Sequence, residues 1–70
     1  MMITIEFNGK PEQIAEKMTL CEFLREKGLT NPHLILELNG EIFAKDALSS
    51  TSPELNDGDR LNVFSLVGGG

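Results

Sequence analysis

The 70-residue chain predicts an α+β fold: a mixed sheet of four to five strands on one main helix, followed by a flexible C-terminal glycine tail. Three observations predict it. Ile3, Ile5 and Phe7 alternate with Thr4 and Glu6, the period of two expected of a strand with one buried face. Leu20, Phe23 and Leu24 recur at helical spacing behind a helix-start signal. Strand-like segments outnumber helical ones, and the long connection after the first hairpin is the helical one. A right-handed crossover then lays the helix on one face of the sheet.

Asn8-Gly9 follows the first strand and suits a tight hairpin. The return strand is expected over residues 10–15 with Ile14 inward, and Pro11 places it at a sheet edge. Thr19 and Glu22 form a capping box: the Thr19 hydroxyl accepts an early helix N–H while Glu22 reaches back to the Thr19 N–H. Arg25 and Lys27 suit the last turn and Gly28 stops the helix. Residues 34–38 are rich in large aliphatics and end at Asn39-Gly40, after which residues 41–44 read as a partner strand. Residues 46–56 look irregular, with Ser52-Pro53-Glu54 resembling an N-cap and first turn of a brief helix. Asp57-Gly58-Asp59 is a tight turn and residues 60–67 form the final strand.

Composition excludes several functions. With 6 basic against 11 acidic residues, the chain lacks the clustered cations that nucleic-acid phosphates require. The acidic balance suits a partner with a basic docking face, and also plain solubility. The single cysteine permits no internal disulfide, which fits a reducing, cytoplasmic setting. No apolar run approaches the roughly 20 residues of a membrane span, and no leader is expected. One domain, residues 1–67, with a tail at 68–70, accounts for the whole length.

The tail is the chemically suggestive part. Gly68-Gly69-Gly70 presents a carboxylate on a stalk without side chains, able to enter a channel that any Cβ would block. Fraying or a cloning scar explains three glycines equally well when they are taken alone. In the preceding strand, if Leu61 and Val63 face the core, Phe64 and Leu66 face away and form a candidate docking patch beside the tail.

Three stretches together, Leu38-Asn39-Gly40-Glu41-Ile42, Asp57-Gly58-Asp59-Arg60-Leu61 and Val67-Gly68-Gly69-Gly70, resemble the ThiS family, the small sulfur carriers of thiamine biosynthesis. The likeness spans essentially the whole chain. It implies the ubiquitin-like β-grasp fold. It also implies that an E1-like, ThiF-like adenylyltransferase uses ATP to adenylate the Gly70 carboxylate. A sulfurtransferase or cysteine desulfurase system then replaces the adenylate with sulfur. The resulting thiocarboxylate gives its sulfur to a ThiG-like thiazole synthase. Gly70 would carry the reacting group, while Gly69 and Gly68 keep the approach thin.

The residues themselves fit a carrier that is not an enzyme. There is no Gly-x-x-x-x-Gly-Lys loop, and the terminal glycines open no helix, so ATP is expected on the partner. Cys21 reads as a small core residue, His33 as a solvated loop residue, and Asp57 and Asp59 as turn formers. One histidine and one cysteine do not make a zinc site, which takes about four ligands when structural. Three alternatives stay open: a carrier akin to the small subunit of molybdopterin synthase, a ubiquitin-like modifier of lysines, and a non-covalent interaction module.

Overall fold

The computed structural model describes residues 1–48 and 52–65. Its elements are β1 (Met2–Phe7), β2 (Lys10–Ala15), α1 (Leu20–Glu26), β3 (Leu34–Leu38), β4 (Glu41–Ala44), a 3₁₀ turn (Lys45–Ala47) and β5 (Arg60–Ser65). The strands form one five-stranded sheet in the order β2-β1-β5-β3-β4. The sheet is mixed because β1 and β5 run parallel while the other neighbours are antiparallel. The predicted α+β arrangement of one helix on a mixed sheet is the one that forms. Residues 66 and 67, expected to complete the last strand, lie outside the described residues.

Both hairpins turn on Asn-Gly. Asn8 and Gly9 have φ of 50° and 85°, and Asn39 and Gly40 have 53° and 88°. Two successive left-handed residues make the turn whose twist matches the flanking strands, which is why asparagine followed by glycine recurs there. Pro11 lies on β2, opposite Glu6, and β2 is an edge strand as its proline requires.

Helix α1 is short but closed at both ends. Glu22 N–H donates to Thr19 Oγ1 at 3.2 Å, and Thr19 N–H donates to Glu22 Oε1 at 2.9 Å, completing the capping box. At the other end Gly28 has φ of 73°, its N–H donates to the Arg25 carbonyl, and Leu29 N–H donates to the Leu24 carbonyl. This pair of bonds is the Schellman arrangement that glycine favours.

The core lies between α1 and one sheet face. Leu20, Phe23 and Leu24 meet Ile5, Leu36 and Leu61, with Ile14 and Leu55 closing the sides. Phe7 sits edge-on to Phe23, ring centroids 5.0 Å apart, and Lys27 lies over both rings while pairing with Glu12 on β2. This clasp fixes the helix against the β2 edge of the sheet.

One expected element does not form. Ser52, Pro53 and Glu54 are not helical. They lie beside the entrance to α1, with Glu54 bridged to Thr19. The physical reason is the need of α1's first-turn donors. Leu20 N–H donates to the Pro53 carbonyl at 2.8 Å, and Cys21 N–H donates to Ser52 Oγ at 3.1 Å. Ser52 is therefore a cap, but for a helix 31 residues earlier, and the same arrangement buries Leu55.

Candidate functional site

Strand β5 leads into the glycine tail and occupies the centre of the sheet. Its inward residue Leu61 is fully buried and Val63 partly so. Period-two alternation turns Arg60, Asn62 and Phe64 to the opposite, helix-free face. Phe64 is 50% exposed there. Its cross-strand neighbour is Ile35, and Ile35 in turn faces Ala44, with exposed Ile42 on the diagonal. An apolar patch thus crosses β5, β3 and β4 just before the tail. Its polar flank is held by a hydrogen bond of 3.0 Å from Asn62 Nδ2 to Glu37 Oε1. Leu66, Gly68, Gly69 and Gly70, the other predicted site residues, lie outside the described residues.

Side chains hold β5 at points the backbone ladder does not reach. On the β1 side, Gly58 N–H donates to the Thr4 carbonyl, Glu6 N–H to the Asp59 carbonyl and Asn8 N–H to the Leu61 carbonyl. Asp57 Oδ1 extends this series at its start by accepting from Thr4 N–H at 2.9 Å. Asn8 Oδ1 extends it at its end by accepting from Val63 N–H at 2.9 Å. On the β3 side, Asn39 Oδ1 accepts from Arg60 N–H at 2.9 Å, while Asn39 Nδ2 donates to Asp59 Oδ1 at 3.0 Å.

The Asp-Gly-Asp turn is thus an anchoring device for the tail-bearing strand. Both Asp57 and Asp59 spend their carboxylates on backbone or amide donors. From the sequence, Asn8 and Asn39 are turn residues only; the structure adds the reach of their side chains to β5. The available signal was the repetition of Asn-Gly, since an asparagine side chain can accept a distant N–H while its backbone turns.

Cys21 is half-buried rather than part of the core, because it sits one position off the Leu20-Phe23-Leu24 stripe. His33 is exposed in a turn where its N–H donates to Asn31 Oδ1. Among the described residues no cluster of three or more His, Cys, Asp or Glu is placed to hold a metal ion. No described helix is long and apolar enough to cross a membrane.

The ThiS family model matches residues 5–70, from β1 through the last glycine. The chain belongs to the ThiS family. Members of this family are non-catalytic sulfur carriers of thiamine biosynthesis. The crystal structure of the thiamine biosynthesis protein ThiS from Geobacter metallireducens superimposes with a TM-score of 0.75 at 30% identity, covering 97% of this chain and 100% of that one. The fold is thus the ThiS-like β-grasp that the sequence resemblance implied. The uncharacterized protein ycf40 of Pyropia yezoensis is 32% identical over 68 residues, covering 97% of this chain and 93% of that protein. A thiazole synthase of Paramagnetospirillum magneticum is 32% identical over 63 residues; the match takes in 90% of this chain but spans only 19% of that enzyme.

Proposed function

We propose that this ThiS-family protein carries sulfur as a thiocarboxylate on Gly70 and delivers it to a thiazole synthase. A carboxylate is a poor electrophile at neutral pH. An adenylating enzyme first transfers AMP from ATP to the Gly70 carboxylate and releases pyrophosphate. The terminal sulfur of a persulfide, carried by a sulfurtransferase or cysteine desulfurase, then attacks the acyl adenylate and expels AMP. A thiol reduces the resulting acyl disulfide, freeing the Gly70 thiocarboxylate and leaving the thiol oxidised in a disulfide. The carrier contributes position: its tail enters the enzyme without side-chain bulk, and orientation there lowers the barrier. Phe64 and Leu66 dock on the partner while Gly68 and Gly69 span the channel.

The observation that carries this reading is that the family likeness continues to Gly70 itself rather than stopping at the folded body. Occurrence of a similar segment within a thiazole synthase supports that enzyme class as acceptor. A cytoplasmic location follows from the same partners.

The test is intact mass after incubation with ATP, an E1-like adenylating enzyme, a persulfide sulfur donor and a thiol reductant. The expected gain is the difference between one sulfur and one oxygen, mapped to Gly70. No gain, with the enzyme active on another carrier, overturns the reading. Deleting Gly69 and Gly70 is expected to abolish the gain while leaving the thermal midpoint unchanged.

A further inference from the structure

The pairing of β5 is asymmetric where it matters most. On its β3 edge the register runs to Leu34 opposite Ser65, the last described residue of the strand. On its β1 edge the register stops earlier, at Phe7 opposite Leu61. There β1 turns away through Asn8 and Gly9. The next N–H on that edge belongs to Val63, and it donates to the Asn8 side chain at 2.9 Å. Among the described residues, this bond is what carries the β1-side pairing past Leu61.

We propose that Asn8 is a positioning residue for the reactive tail, a role that rests on the carrier function above. One residue does two tasks. Its backbone adopts φ of 50°, which asparagine tolerates better than most residues, and so completes the hairpin turn. Its short side chain simultaneously places an oxygen where the missing backbone carbonyl of a longer β1 would stand. The end of β5 is thereby gripped from both edges at Val63, three residues before the described strand gives way to Leu66 in the sequence. Without the Asn8 oxygen, Val63 to Ser65 are held from β3 alone. The adenylating enzyme must then order those residues on binding, at an entropic cost for each.

Asn39 supplies an internal control. It occupies the same position of the same kind of turn, with φ of 53°, and its Oδ1 also accepts a β5 backbone N–H. That N–H belongs to Arg60, at the end of the strand remote from the tail. Asn39 also donates from Nδ2 to Asp59 Oδ1, so a purely structural role predicts at least as large a loss from removing Asn39 as from removing Asn8. A positioning role predicts a loss of adenylation for Asn8 alone.

The test measures pyrophosphate release by an adenylating enzyme with ATP, at limiting and saturating carrier, for wild type, N8G, N8D and N39G. Thermal melts run alongside. Glycine keeps the left-handed turn and removes the acceptor, whereas aspartate keeps an acceptor oxygen. N8G is expected to lose on the order of tenfold in kcat/KM, the scale of one lost hydrogen bond. N8D is expected to keep the wild-type rate, and N39G to lower the melting temperature without that loss. Amide exchange at Val63 and Ser65 is expected to accelerate in N8G and not in N39G. The proposal is overturned if folded N8G turns over like wild type, if N39G loses as much as N8G, or if folded N8D is as slow as N8G. A wild-type carrier that is not adenylated overturns the carrier reading, and this proposal with it.

Discussion

Thr19 and Ser52 close the start of α1 from two sides, and each satisfies an N–H that the helix cannot. Removing either hydroxyl is expected to cost about 1 kcal/mol. In a domain of this size that lowers the melting temperature by roughly 4–8 °C. Thermal denaturation of Thr19→Ala and Ser52→Ala checks it, and an unchanged midpoint in either would refute that cap's contribution. The two caps differ in how readable they were. Thr19 and its partner Glu22 are three residues apart, so the capping box is spelled out locally. Ser52 carries the same signal, a serine before proline, yet its N–H acceptor role is spent on Cys21. A local pattern names the residue type that caps; only the tertiary structure says which helix receives it.

At the scale of elements, β5 carries a buried residue and an exposed apolar one along one strand. Leu61 is fully buried between α1 and the sheet, whereas Phe64 stands half-exposed on the helix-free face. Leu61→Ala is expected to cost about 2–5 kcal/mol through lost burial and the cavity left behind. Phe64→Ser is expected to cost about 1 kcal/mol or less, the range of strand propensity, because half its surface already meets water. Its larger effect is predicted on binding to the adenylating enzyme, a loss on the order of tenfold or more in calorimetry. Equal affinity for a folded Phe64→Ser variant would refute the docking role.

The alternation that puts Leu61 inward and Phe64 outward was legible, since a strand's period of two needs no tertiary knowledge. The partners of Phe64 were not. Ile35 and Ile42 reach the patch through the β3–β5 and β3–β4 registers, and register between distant strands has no local signature. The same reason hid the parallel placement of β5 beside β1 and the reach of the Asn8 and Asn39 side chains.

For the molecule as a whole, size and charge point the same way. A 70-residue domain has roughly 4–10 kcal/mol of stability to work with. The core spends one face of the sheet and leaves the other open for partners. The net charge of −5 then acts at a distance, before any contact forms. If the adenylating enzyme presents a basic face, the carrier's field steers their encounter, and salt must weaken that steering. The screening length falls from roughly 10 Å at about 0.1 M salt to roughly 3 Å at about 1 M. Over that range the association rate is expected to drop on the order of tenfold or more. The dissociation rate is expected to change little, because an apolar contact at Phe64, as proposed, is not screened. Stopped-flow mixing of carrier and enzyme across sodium chloride concentrations separates the two rates. An association rate indifferent to salt would mean that the charge serves solubility alone, and that recognition rests entirely on the patch and the tail.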